Sequence, residues 1–407
     1  MNGILLAAVL GAALSNFPRD AGGRIAQPGI GVHVGGAPAV VVVAGEKVMA
    51  FRADGSSVTL FSISTGAEDQ AAGAPAAADM DGDGRTEIAV ATASGRLFLW
   101  SGGLVPGFPA KLGARAKAGP SFGDVDGDGR PEVIVGDEKG RLHAFKRNGR
   151  EPAGWPVTVG CVVTSSASVS TFAGVRSVAV GCEDGKVHVL DGNGRERPGF
   201  PLVTKFSVTG APAFADLDDD GEMDLVVASQ DFGLYVVGAR AKPLPGFPVR
   251  AGYRLYEGPA VADLDGDRRL DVVFASADGM LHAVTAGGEK LPGFPVRVGP
   301  RLFGGPAVAD LDRDGKLDVV VVTSDGSVAA VDAGGKPVPG FPAMLFAADA
   351  TASPLVYDLG GDGTPTVFAG LPSGQLHALR AQKPGSSPGR IAWAGPGRDP
   401  ARAGRYG

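Results

Sequence analysis

Asp79-Met80-Asp81-Gly82-Asp83-Gly84-Arg85-Thr86-Glu87 places carboxylates at positions 1, 3, 5 and 9 of a nine-residue stretch, with glycine at position 6. The spelling returns at Asp124, Asp126, Asp128, Gly129 and Glu132, and again at Asp216, Asp218, Asp220, Gly221 and Asp224. It returns at Asp263, Asp265, Asp267 and Asp271, and at Asp310, Asp312, Asp314, Gly315 and Asp318. Each copy runs straight into an apolar stretch such as IAVA, VIVG or VVVV. Four acids in nine residues repel one another and cannot enter a core. A hard divalent cation resolves the conflict, because calcium gathers about six to eight oxygens from carboxylates and a carbonyl. Glycine permits the sharp turn that such a cage needs.

Successive loop starts are 45, 92, 47 and 47 residues apart. The gap of 92 is two periods, so a unit without the acids lies inside it. "VRSVAVGCEDGKVHVLDGNGRERPGFP" (175–201) is that unit, and it aligns with "RPEVIVGDEKGRLHAFKRNGREPAGWP" (130–156) in the copy before it. A worn copy, "APAVVVVAGEKVMAFRADG" (37–55), opens the series. Another, "SPLVYDLGGDGTPTVFAGLPSGQLHAL" (353–379), closes it, with Asp358, Gly360, Asp362 and Thr366 at the loop positions. Eight units result. Unit six reads as four short strands: GPAVAD, then after the acidic loop LDVVFAS, then MLHAV beyond Asp278-Gly279, then LPGFPVRV beyond Gly287-Gly288. Asp-Gly and Gly-Gly between alternating apolar runs are hairpin signals. Four strands in a period of about 45 residues mark a propeller blade. The expected fold is all-β, a propeller of eight four-stranded blades, with seven blades and a leftover unit as the alternative.

PGFP recurs at Pro106, Pro198, Pro245, Pro292 and Pro339, with AGWP at Ala153. Proline cannot donate to a ladder, which assigns this element to the outer edge of each blade. Its Phe or Trp is expected to pack between neighbouring blades.

Gly 65 and Pro 31 are high, but an apolar fraction of 44% rules out a disordered chain and fits frequent turns between short strands. The formal charge of −6 argues against nucleic acid as a partner. Twenty of the 44 acids occupy the four repeated positions of the five loops, and five bound calcium ions would move the charge to near +4. Residues 2–14, NGILLAAVLGAAL, have the length and polarity of an export signal, assigned to 1–15, and are too short to span a bilayer. No later run is long enough to do so. The propeller is expected over 30–383 and a Gly/Pro/Arg-rich tail or strap over 384–407. A secreted, periplasmic or cell-surface monomer follows. Cys161 and Cys182, the only cysteines, can form one bridge where export permits it. Such a bridge would pin the fourth unit, which lacks the acidic loop; two buried free thiols are the alternative.

Over about residues 30 to 383 the repeat resembles the FG-GAP/VCBS family of bacterial surface proteins and the calcium-binding blades of integrin α-subunits. The D-x-D-x-D-G-x-x-[DE] loop leading into a strand carries the resemblance. It implies that each loop joins the first and second strands of a blade, on one face of the ring. It also implies a ligand set: Asp79, Asp81, Asp83 and Glu87 with the carbonyl of Arg85; Asp124, Asp126, Asp128 and Glu132 with Arg130; Asp216, Asp218, Asp220 and Asp224 with Glu222; Asp263, Asp265, Asp267 and Asp271 with Arg269; Asp310, Asp312, Asp314 and Asp318 with Lys316. Arg268 replaces the glycine in the fourth copy, which predicts a weaker site there. The loop at Asp358 has lost two carboxylates and is weaker still or empty. An EF-hand would need its last acid at position 12 and flanking helices. In similar extracellular modules the ions are structural staples.

His143, His188, His282 and His377 share one position of the third strand, where other units carry Met49, Phe98, Tyr235 and Ala329. A position that accepts all of these is a packing slot. No nucleophile elbow, P-loop or zinc spacing occurs, and a non-enzymatic adhesion or scaffold module is expected. A polysaccharide lyase like the eight-bladed rhamnogalacturonan lyases is the alternative. Candidate partner residues lie between the edge strand and the next unit. Arg115, Arg254 and Arg301 stand five residues before the proline that opens the first strand, and Lys117, Tyr256 and Phe303 three before it. Lys205, Phe206 and Tyr253 are near them. Blade topology puts this connection opposite the acidic loops, around the channel mouth. Arg and aromatic side chains suit a protein or acidic glycan partner.

Overall fold

The computed structural model describes residues 14–64, 69–345, 350–382 and 389–393. Blade 5 shows how each unit folds. Ala213–Ala215, Asp224–Ala228, Gly233–Val237 and Val249–Arg250 pair in sequence order as an antiparallel meander. Ala215 faces Asp224, Val227 faces Tyr235 and Leu234 faces Val249. Asp224–Ala228 is buried at every residue, because each of its faces packs on a neighbouring blade. The apolar run is therefore continuous where an exposed sheet would alternate.

Eight such sheets make the ring, which removes the seven-bladed alternative. The first strands touch the first strands of adjacent blades and so line the axis. The fourth strands form the outer edge. The edge aromatics pack as expected: Phe108 against Val133, Val135 and Phe145 of blade 3, and Trp155 against Val178 and Val180 of blade 4. Trp155 Nε1 also donates to Gly192 O at 3.1 Å.

Segments toward both ends of the chain, Arg19–Asp20 and Ile391–Trp393, enter the ring, which extends it beyond 30–383. Arg19–Asp20 is the outer strand of blade 8, with Arg19 opposite Leu376 and Asp20 opposite Gln375. Leu14 already donates to Ala378 O at 3.0 Å, inside the stretch assigned to the export signal. Residues 1–13 of that signal lie outside the described residues. Within the expected tail, Ile391–Trp393 pairs with the axial strand Ala307–Ala309 and gives blade 7 a fifth strand. The sequence pattern shows neither strand, since two or three residues carry no period.

Blade 4 lacks the acidic loop and joins its first two strands through a tight turn at Ala173-Gly174, both at positive φ. Cys161, in the connection entering this blade, is bonded to Cys182, which follows Val175–Gly181, with Cα atoms 5.9 Å apart. Among the described residues no helix is long and apolar enough to cross a membrane.

Candidate metal centres

Each acidic stretch is the connection between the first and second strands of its blade. In the first, Asp79 accepts from the Gly82 and Gly84 amides at 2.7 and 2.9 Å, and Glu87 accepts from the Met80 amide at 2.8 Å. The second repeats this with Gly127, Gly129 and Val125 at 2.7, 2.9 and 2.9 Å. In all five, the position 5 acid accepts from the amide of position 7: Arg85, Arg130, Glu222, Arg269 and Lys316, at 2.7 to 2.9 Å. The carboxylates are thus oriented by backbone amides before any ligand enters.

The last acid opens the second strand and is buried for that reason. Glu87, Glu132, Asp224, Asp271 and Asp318 are each at most 5% exposed. Ligand atoms of positions 1, 3 and 9 lie within 4.8 Å of one another in the loops at Asp79, Asp124, Asp216 and Asp263. Burial, followed by like charge from neighbouring acids, pushes the last acid up: Glu132 to about 7, Asp224 and Asp271 to about 6, Asp318 to about 8. Asp310 and Asp312 are pushed up by the same causes.

An all-oxygen set of crowded carboxylates fits a hard divalent cation. Buried oxygens without a hydrogen-bond partner make the fit specific. They are Oδ1 of Asp81, Asp216 and Asp310, and Asp310 is only 2% exposed. These clusters can hold metal ions.

Two features of the loops are not visible in the acid spacing. Position 4 takes a left-handed backbone as well as position 6. Gly82, Gly127 and Gly266 supply it in three copies, Asp219 (φ 57°) and Arg313 (φ 62°) in the others. Arg268 does adopt the turn its glycine counterparts make, at φ 73°, a conformation costly for a bulky side chain. Basic residues from elsewhere also reach the loops. Arg147 pairs with Asp81 at 3.0 Å and Glu87 at 3.5 Å, Lys146 with Asp126 at 2.6 Å and Asp128 at 2.8 Å, and Arg176 with Asp124. Sequence reading missed them because they lie outside the repeated motif.

The four third-strand histidines stand in four different blades, each opposite the middle of the second strand. His143 and His282 stack on Phe145 and Phe274 at 5.7 and 4.8 Å. His143 Nδ1 contacts Glu151 at 2.9 Å and His188 Nδ1 contacts Glu196 at 2.5 Å. Burial lowers His282 and His377. The ring brings no two of them together.

Strand direction puts the connections between blades on the face opposite the acidic loops. The carbonyls of Arg115, Arg254 and Arg301 accept from the amides of Glu138, Ala277 and Ser324, which ties each connection to the hairpin beside it. The three arginine residues, Lys117 and Lys205 are exposed. Tyr256 and Phe303 are partly buried and pair with each other at 5.7 Å, so they join neighbouring connections. Phe206 and Tyr253 are open to solvent, at 54% and 50%. Arg254 lies over the Phe206 ring at 5.8 Å. Tyr253 stacks at 5.9 Å on Phe232, a neighbour that sequence reading did not single out.

Comparison with known proteins agrees with this architecture. The FG-GAP-like repeat matches residues 79–135 and 263–321. No curated protein matches the sequence. Among solved structures, BamB from Moraxella catarrhalis is similar with a TM-score of 0.58 and 18% identity, over 92% of this chain and 98% of that one. The computationally designed Ika8 protein is similar with a TM-score of 0.59 and 16% identity, over 90% and 98%. At these identities the likeness is one of fold.

Proposed function

We propose, for a chain that carries FG-GAP-like repeats on an eight-bladed ring, an exported, non-enzymatic module for adhesion or scaffolding. Calcium braces its loop face, and an acidic protein or glycan binds the opposite face.

One observation carries the binding surface. Seven large apolar side chains are exposed among the described residues, and four of them fall in blades 4 to 6: Val203 at the end of the outer strand of blade 4, Phe206 and Tyr253 on the connections that follow blades 4 and 5, and Phe232 on a hairpin of blade 5. Scattered apolar residues are ordinary on a surface, whereas a cluster favours a binding site. Lys205, Arg254 and Arg301 give this sector positive charge. Asp231, which accepts from the Lys205 amide at 3.1 Å, is also engaged by Tyr235 at 2.6 Å and Arg250 at 3.2 Å. Exposed rings beside cations suit an acidic partner with flat or apolar faces.

Calcium supports this role from the far face. The carboxylates of the loops at Asp79, Asp216, Asp263 and Asp310 are the ligands, and the ion stiffens the turn between the two innermost strands. The Cys161–Cys182 bridge suits an oxidising compartment. Dispersal of the histidines, one per blade, favours binding over turnover.

The test is binding to native cell surface, extracellular matrix and polygalacturonate, with calcium present. Arg254→Glu with Arg301→Glu, and separately Phe206→Ala with Tyr253→Ala, should each weaken binding about tenfold or more, as loss of central anchors does. Full binding by both double variants would remove this face from consideration. Release of unsaturated oligosaccharides from the polygalacturonate would instead mark a lyase.

A further inference from the structure

Resting on the calcium reading above, we propose that the loop 124–132 is closed to calcium, because Lys146 occupies it as a resident cation. Lys146 directly follows the third strand of blade 3, Arg141–Phe145. That strand ends on the loop face, so its next residue is delivered to the loop of its own blade. The ammonium lies 2.6 Å from Asp126 and 2.8 Å from Asp128, the position 3 and position 5 acids that the metal would take. Arg176 of blade 4 pairs with Asp124, the position 1 acid. Three of four carboxylates in this loop therefore already hold a protein cation.

The other copies supply the contrast. Among the described residues no ion pair reaches the ligand carboxylates of the loops at Asp216, Asp263 and Asp310. Arg269 comes no nearer than 3.9 Å to Asp219, which is not a ligand position. Buried carboxylate oxygens stand without a partner in the loops at Asp216 and Asp310 and not in the loop at Asp124. The residue after the third strand is Gly238 in blade 5, Thr285 in blade 6 and Asp332 in blade 7, none of which brings a positive charge. Blade 8 repeats the device. Arg380 follows Gln375–Leu379 and reaches Thr366 at 2.9 Å and Asp362 at 3.5 Å in the worn loop. In blades 3 and 8 the first position past the third strand thus delivers a cation to the loop of its own blade. In blade 2 that position is Ser101, and the loop meets Arg147 of blade 3, which pairs with Asp81 and Glu87 and leaves Asp79 and Asp83 without an ion pair among the described residues. A divalent ion would have to expel the ammonium from between two carboxylates, while an empty cage asks for no such exchange.

Full-length protein freed of metal by chelation, then titrated with Ca²⁺ by calorimetry and equilibrium dialysis, gives the number of bound ions and their affinities. Asp312→Asn should lose one ion, and Asp126→Asn should lose none. Lys146→Gln should gain one ion, because it frees two carboxylates for the metal. A Lys146→Gln protein with the wild-type count and affinities overturns the proposal, as does loss of an ion in Asp126→Asn. Wild-type protein that binds no Ca²⁺ overturns this proposal and the calcium reading together, whereas a normal count with an unresponsive Lys146→Gln overturns this proposal alone. Circular dichroism of each variant reports whether the ring is intact.

Discussion

Asp318 shows what one residue at the root of a loop does to the molecule. It opens the second strand of blade 7, accepts from the Leu311 amide at 2.8 Å, and is pushed up to about 8 by burial and then by neighbouring acids. Glu132, Asp224 and Asp271 are raised to between about 6 and about 7 in the same position. A carboxylate raised in the folded state contributes stability that is intact below its unfolded value near 4 and is lost as pH rises through the folded value. In chelator the melting temperature should therefore fall from pH 5 to pH 8. Saturating calcium, which binds the ionised form, should abolish the part of that fall that Asp224, Asp271 and Asp318 contribute, leave the part that Glu132 contributes in the closed loop, and raise the melting temperature more at pH 8 than at pH 5. Thermal melts across that range check it, and a chelated protein that grows more stable toward pH 8 would contradict it. At this scale the acidic positions of the loops were legible because their spacing repeats. Lys146, Arg147 and Arg176 were not, because strand topology rather than motif delivers them.

The individual blade is the next scale, and blade 4 is the informative exception. Its first two strands meet in the Ala173-Gly174 turn, with no acid cage to brace them. The Cys161–Cys182 bridge ties the connection entering the blade to the end of its second strand. Val163 also forms a bridge to Cys182, so the covalent link reinforces backbone pairing already present. Closing a loop of this length contributes about 3 kcal/mol on the chain-entropy account. Cys161→Ser with Cys182→Ser should lose about that much in denaturant unfolding, and calcium should not restore it. Amide exchange should rise first in Val175–Gly181 and its partners. Unchanged stability of the double variant would assign the brace elsewhere. Turn pairs and edge prolines made the four strands of a blade readable. They also showed that blade 4 lacked the loop, but only the fold shows how its turn closes.

Closure of the ring belongs to the whole molecule, and the repeats alone did not reveal it. Blade 8 receives three strands from the end of the chain and its outer strand, Arg19–Asp20, from the beginning. Phe17, next to that strand, packs in one cluster with Val40, Val42 and Phe51 of blade 1 and Phe368 of blade 8. It meets the Phe368 ring edge-on at 6.0 Å and is 6% exposed. The edge aromatics of other blades, such as Phe200, join neighbours that are already continuous along the chain. Phe17 joins the two ends. Phe17→Ala should cost about 3 to 5 kcal/mol, the usual range for emptying a buried aromatic site, and Phe200→Ala a similar amount. The distribution of the loss should differ. With Phe17 removed, amide exchange should rise together in Val40–Phe51 and in Thr366–Leu379, because the weakened contact is the seam between first and last blades. With Phe200 removed it should rise around blades 4 and 5 and leave the seam protected. Exchange that spreads identically in the two variants would mean that the ring responds as a single cooperative body and that its closing point has no special weight.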